Sequence, residues 1–360
     1  MATEFIWQLP VAGDGRYGNA NAVRRGERAE SALPAFSPGV SDPRGDRFNY
    51  FDYLHQVARA ADLAGFDGLQ VPDDPSADES WIVSAYAARA TQHVRILVEF
   101  PASRGSSVFA AKNAASFQRF SQGRFAWQIG LGGNEPQRRW YGDHVADTDL
   151  LSRIEEFVTV ARGVTSVTDG KKFSFAGRFF EVLDGGFEGP LRAYPLPPVY
   201  LSGASEEALV LSSRVADVHI FDAQPVAQLR PAIAHLNALA AQEGRKVAAG
   251  LRIDLLARET LREAVFDARR YLDQSGTRQA GDPVLGSNYW PGLSSGRNGA
   301  AASLFGDYEQ VAARLAGYAE AGIESFILGA TPHLEEAYRI GELVLPAVRN
   351  AAIAERRLAA

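Results

Sequence analysis

Short apolar runs alternate along the chain with longer stretches in which apolar residues recur every three or four positions, the two periods of strands and of one-sided helices. The short runs predict strands over 5–10, 66–72, 95–101, 124–131, 198–202, 217–221, 251–257 and 325–330. Helical spacing fills "YFDYLHQVARAADLAG", "SVFAAKNAASFQRFSQG", "LLSRIEEFVTVARGV", "QLRPAIAHLNALAAQEG" and "YEQVAARLAGYAEAGI". Several of these end in glycine, the residue favoured just beyond a helix C-terminus. Strand followed by helix, eight times over, is the order of an α/β fold of the (β/α)8 TIM-barrel kind.

The 360 residues exceed the roughly 250 of a minimal barrel, and the excess falls into three insertions within one domain spanning 1–360. Residues 18–49, rich in Arg, Gly, Pro and Ser, follow the first strand. Residues 171–191, after the fourth strand, contain "KKFSFAGRFFEVLDGG", whose alternation predicts a hairpin. Residues 273–306 lie between the seventh and eighth strands. The first and third insertions follow strand C-termini and are therefore expected over the chemical face of the barrel, as lids.

Composition removes several classes of function. No apolar run reaches the roughly 18 residues of a membrane helix, and "MATEFIWQLPVAG" lacks the basic and long apolar segments of a secretory signal, so a cytoplasmic location is expected. The absence of cysteine excludes disulfides, thiolate catalysis and thiolate metal sites. A net charge of −6 gives no general attraction to nucleic acid or anionic lipid, so an anionic ligand must be held by individually placed arginines or backbone amides. The histidines (His55, His93, His144, His219, His235 and His333) are scattered without metal-binding spacing. In "GLGGNEP", Glu135 stands where a dinucleotide fingerprint needs its third glycine, and there is neither a Walker loop nor a G-x-S-x-G elbow.

Barrel chemistry collects at the C-terminal ends of the strands. Those ends read "PVAGDGRY", "PDDPSADE", "PASRGSS", "LGGNEPQ", "SGASEE", "DAQP", "RIDLLAR" and "GATPHLEE". Residues two apart share a face, so an inward Asp222 implies inward Val218 and Ile220, with His219 turned to the helices in a structural role. Arg252 and Asp254 likewise share a face, either as site residues or as charges that neutralise each other. Asp73, in "PDDPSADE", is a candidate for touching substrate. In "ATPHLEE", Thr331 is expected as the N-cap and Pro332 as the first helical residue, which places His333 in the first turn, able to give or take a proton. "LSGASEEA" ends a strand with small residues and opens a helix, an arrangement whose free backbone N–H groups suit a phosphate, or simply an ordinary helix cap.

Several segments together resemble the two-component alkanesulfonate monooxygenases of the bacterial luciferase-like flavin-dependent superfamily: "WQLPVAGDGRY", "AADLAGFDGLQVP", "AAKNAASFQRFSQGRFAWQIGLGG", "PPVYLSGAS", "GLRIDLLARET" and "GIESFILGATPHLEEAYRIGELVLP". The resemblance covers nearly the whole chain, and P-H-L-E-E-A-Y-R-x-G-E is its most specific part. It implies reduced FMN supplied by a separate NAD(P)H-dependent flavin reductase. It further implies O2 as co-substrate, a flavin (hydro)peroxide as oxygenating species, and a homodimer or homotetramer. On the same basis the FMN phosphate falls on Ser202, Gly203, Ala204 and Ser205, and the flavin ring near Gln128 and Leu131, where the family carries Asn and Thr. Arg252, Arg297 and His333 match family active-site positions, with Arg297 on the lid.

The departures bear on substrate. Ala12, Ala77, Asp222, Asp254 and Thr331 stand where the family has His, Cys, Trp, His and Tyr, and Leu151 replaces a Tyr usual beside the flavin phosphate. Two added carboxylates, Asp222 and Asp254, should repel a sulfonate or attract a cationic or polyhydroxylated substrate. The expectation is an FMNH2-dependent monooxygenase acting on a small or medium organic molecule, an organosulfur compound or a natural-product intermediate. Two other readings stay open: a flavin-independent hydrolase or lyase using Asp222 and Asp254 as paired carboxylates, and a flavin-binding protein without catalysis.

Overall fold

The computed structural model of the chain describes residues 3–13, 50–75, 77–168, 171–192, 194, 196–275, 289–290 and 302–350. Its strands are β1 (Glu4–Gln8), β2 (Gly68–Val71), β3 (Arg95–Pro101), β4 (Phe125–Gly130), β5 (Phe173–Ala176), β6 (Glu181–Gly185), β7 (Val199–Ser202), β8 (Val218–Asp222), β9 (Ala248–Arg258), β10 (Tyr289–Trp290), β11 (Ser303–Asp307) and β12 (Ile323–Gly329). The helices are α1 (Tyr50–Leu63), α2 (Ser80–Ala90), α3 (Ser107–Ser121), α4 (Glu135–Trp140), α5 (Leu150–Thr165), α6 (Glu206–Val215), α7 (Val226–Gln242), α8 (Leu261–Ser275), α9 (Tyr308–Glu320) and α10 (His333–Arg339). Parallel pairing runs β12-β1-β2-β3-β4-β7-β8, and β9 pairs with both β8 and β12, closing an eight-stranded barrel. The predicted TIM barrel is therefore the observed fold, with every predicted strand present.

Sequence periodicity explains the layering. In α1 the buried residues Tyr50, Tyr53, Leu54, Val57, Ala58 and Ala61 follow helical spacing and turn one face to the sheet. α3 stops where Gln122 and Gly123 adopt left-handed φ of 58° and 85°, and α9 starts on a reciprocal capping box between Asp307 and Gln310. The main apolar core lies between strands and helices and takes the outward strand residues, among them Trp7, Val98, Trp127 and Leu251. A smaller cluster, Ile6, Leu97, Ala126, Tyr200, Val218, Ile220 and Ile327, plugs the barrel interior. Below the plug, Glu4 accepts hydrogen bonds from Arg95 (3.0 Å), Tyr200 (2.9 Å) and Ser325 (3.1 Å). Among the described residues the plug and this polar cluster fill the lower end of the barrel, which leaves the C-terminal end as the face for chemistry.

The insertions divide. β5 and β6 form the predicted hairpin, antiparallel, held to α5 by Glu156, which accepts from the backbone N–H groups of Arg178, Phe179 and Phe180. The third insertion does not leave directly from β9 as expected, because α8 intervenes. The chain then returns as β11, which pairs in parallel with the outer half of β9 from Ser303↔Asp254 to Asp307↔Arg258. This extra neighbour explains why β9 runs beyond its predicted end. The insertion consequently re-enters the fold at the level of Asp254. Residues 18–49 and Arg297 lie outside the described residues.

Candidate active site

Inward parity places a polar layer above the apolar plug. On β2 and β4, Gln70 and Gln128 are fully buried, and Gln70 Nε2 donates to Gln128 Oε1 at 2.6 Å. The other two amide atoms, Gln70 Oε1 and Gln128 Nε2, are buried without a partner among the described residues. Such atoms are costly unless something satisfies them.

β9 contributes Arg252 and Asp254. They share the inward face, since the alternate residues Leu251, Ile253 and Leu255 belong to the outer core. They do not neutralise each other: Arg252 makes no hydrogen bond or ion pair among the described residues, and its Nε is buried without a partner. Asp254, only 2% exposed, lies against Gly329 of β12, where an added Cβ would come within 2.6 Å of Asp254 Oδ1 and 3.4 Å of Gln8 Oε1. The missing side chain at Gly329 makes the room for that carboxylate.

Glu99 on β3 is a site residue beyond those expected from the strand ends. Leu97 belongs to the interior plug, so Glu99, two residues on, points inward and stands in register with Gln128. The backbone N–H of Asp73 approaches its Oε2 at 3.4 Å, and Gly130 leaves space beside its Oε1, 3.0 Å from where a Cβ would sit. Burial raises the Glu99 carboxyl from its ordinary value, opposed chiefly by the charge of Arg252. The neighbouring Asp73 is raised by burial as well, against the pull of Arg104, whose Nη1 donates to Asp73 Oδ1 at 2.5 Å. Arg104 in turn lies 4.2 Å over the ring of Tyr141. Asp73 is therefore tied into the rim, while Glu99 is not.

The β7 turn is built as expected. Ser202 ends the strand, Gly203 adopts φ 143°, Ala204 is exposed, and Ser205 caps α6 by accepting from Ala208 N at 3.2 Å. Since Gln128 pairs with Tyr200 across β4 and β7, this turn stands on the strand next to Gln128 and further towards the rim. Behind it His219 is fully buried, as the parity argument required, with its Nδ1 2.7 Å from Ser212 Oγ. Burial lowers the imidazole to about 4.

Other positions are more peripheral. Asp222 is exposed at the end of β8, in register with Arg252. The loop that follows it is held by Tyr289 Oη and Tyr318 Oη, which donate to the carbonyls of Ala223 (2.9 Å) and Gln224 (2.7 Å). Leu131 is 44% exposed. The glycines after it serve a turn with φ of 84° and 88°, and the Asn134–Gln137 capping box starts α4, which accounts for "GLGGNEP" without a nucleotide. Thr331 is partly exposed but is not the N-cap: Pro332 occupies that position with φ −77° and ψ 138°, and His333 is the first helical residue. His333 is 4% exposed and meets Trp7 edge-on at 5.9 Å, on the outer side of β1. The structure thus gathers Glu99, Gln70, Gln128, Arg252 and Asp254 in the interior, with Asp73, Asp222 and the β7 turn around the rim. Among the described residues no group of three or more His, Asp or Glu is placed to hold a metal.

The family model described as luciferase-like monooxygenase matches residues 31–325. The chain belongs to the luciferase-like monooxygenase family. Solved structures of similar fold include a riboflavin lyase with modified FMN and substrate riboflavin (15% identity, TM-score 0.74, 98% of this chain and 92% of that one covered). EDTA monooxygenase from Chelativorans sp. BNC1 is similar at 16% identity and TM-score 0.73, over 98% of this chain and 94% of that one. An F420-dependent secondary alcohol dehydrogenase in complex with an F420-acetone adduct is similar at 17% identity and TM-score 0.68, over 97% and 99%.

Proposed function

We propose that this protein is an FMN-dependent monooxygenase that uses O2 and flavin reduced by a separate NAD(P)H-dependent reductase to oxygenate a small or medium organic molecule. The observation that carries the cofactor reading is the orphaned amide pair Gln70–Gln128, set one strand from the capped turn of α6. The pyrimidine edge of a flavin offers both donors and acceptors to such atoms, and the first N–H groups of α6, with Ser205, suit its phosphate. These residues fit the group. Bound reduced flavin would supply the electrons that activate O2 for transfer of one oxygen atom to the substrate.

The chain's own residues then have distinct tasks. The apolar plug and the Glu4 cluster fill the lower end of the barrel. Arg252, with its donors unused, holds an anionic oxygen of the substrate or charge that develops during oxygenation. Asp222, exposed at the rim in register with Arg252, adds negative charge there, so we infer a cationic or polyhydroxylated substrate in preference to a plain sulfonate. Arg297 is proposed as the lid residue and Thr331 as a substrate contact, whereas His333, packed against Trp7 behind β1, stands outside this set. Exposed apolar residues on α2 and α3, including Ile82 and Phe109, support assembly as a homodimer or homotetramer.

The experiment is a titration of flavin fluorescence with wild type and Gln128→Leu. FMN should bind the wild type, and the variant should lose roughly tenfold in affinity, the worth of one buried hydrogen bond. Equal affinities, or binding of coenzyme F420 in place of FMN, would overturn the assignment.

A further inference from the structure

The proposed reaction leaves Glu99 without a task, although no other carboxylate in the interior is so incompletely engaged among those whose contacts are fully described. A carboxylate accepts about four hydrogen bonds when ionised. Glu99 has a single long one, 3.4 Å from Asp73 N, and its Oε1 accepts none among the described residues. Arg252, whose charge is the main influence opposing its desolvation, uses none of its five donors and does not approach within ion-pair distance. Two opposite charges therefore stand in one interior without meeting. Both residues are only partly buried, so water reaches their charged ends, and a ligand entering the site can take the place of that water. Gln128, in register with Glu99 and fully buried, adds an unsatisfied Nε2 at the same level.

From this arrangement we infer that Glu99 is a specificity-determining residue, which receives the cationic nitrogen of a small zwitterionic substrate whose anionic end lies on Arg252. The inference rests on the reading of the barrel mouth as the substrate site and sharpens it to one substrate class. Gly130 contributes by omission: a Cβ there would stand 3.0 Å from Glu99 Oε1, where the nitrogen has to arrive. The raised carboxyl is consistent with this, because an ammonium beside Glu99 would restore the ionised form that burial disfavours.

The test uses the full chain and matched probes: taurine and β-alanine as zwitterions, ethanesulfonate and propionate as the corresponding anions, with affinities from calorimetry. The wild type should prefer each zwitterion by roughly tenfold or more, as a charge-assisted hydrogen bond requires. Glu99→Gln, similar in size, should abolish the preference, and Glu99→Asp should retain part of it, with circular dichroism confirming the fold. Anions that bind the wild type as well as zwitterions, a Gln variant that keeps the preference, or no binding of any probe would each overturn the inference. FMN titration in parallel separates the two ideas: a wild type that selects zwitterions without taking up FMN refutes the flavin reading and leaves this one standing.

Discussion

Acidification should destabilise this protein in part through His219. The imidazole has no exposed surface, packs 4.6 Å from the Phe221 ring and is 2.7 Å from Ser212 Oγ, so protonation puts a charge where water cannot reach it. Burial lowers it from 6.5 to about 4. As pH falls below about 6.5 the unfolded chain takes up this proton first, so the stabilisation from a neutral His219 is complete above that value. It is lost progressively down to about pH 4, below which both states are protonated. The interval corresponds to about 3 kcal/mol. Other groups titrate in the same window, so the informative quantity is a difference. Urea unfolding of wild type and of His219→Gln, followed by tryptophan fluorescence from neutral pH to about 4, should show the gap between them shrinking by about 3 kcal/mol. A gap independent of pH would refute the burial argument.

Ser205→Ala should cost about 1 kcal/mol as a lost helix cap and weaken FMN more than riboflavin, which lacks the phosphate; parallel fluorescence titrations check the ratio, and equal losses would remove the phosphate from this turn. Arg153 grips the buried Asp143 through two hydrogen bonds, 2.7 and 2.8 Å, and holds its carboxyl below the ordinary value. Arg153→Met should therefore cost about 3 kcal/mol or more in urea unfolding, because a buried carboxylate loses its strongest partner. His333→Ala should lower stability in urea unfolding, because it removes a buried ring packed on Trp7, while leaving oxygen consumption with photoreduced FMN nearly unchanged; a large loss of turnover would place His333 in the mechanism.

The barrel was legible because strand and helix periods alternate cleanly and each strand runs to its turn without ambiguity. The hairpin at β5 and β6 was legible for the same reason, and His219 was assigned to the shell by parity alone. What escaped depended on contacts between distant segments. Glu99 sits two residues inside the end of "RILVEFP", so the strand-end pattern points past it to the proline, and only the packing of Leu97 in the barrel interior fixes it as inward. β11 was hidden in an insertion, since nothing local in "AASLFGD" announces that it extends the pairing of β9. Threonine before proline suits a helix cap, yet Pro332 is extended and the helix begins one residue later. The unused donors of Arg252 were beyond any sequence reading, because an absent partner leaves no local pattern.

The account depends on the barrel mouth being a flavin site, and a crystal structure of the complex with FMN tests that most directly. The predicted density places the phosphate on the N–H groups of α6 beside Ser205, with the polar ring edge within hydrogen-bond distance of Gln128 Nε2. Density for flavin elsewhere on the molecule, with Gln70 and Gln128 still unsatisfied, would contradict it.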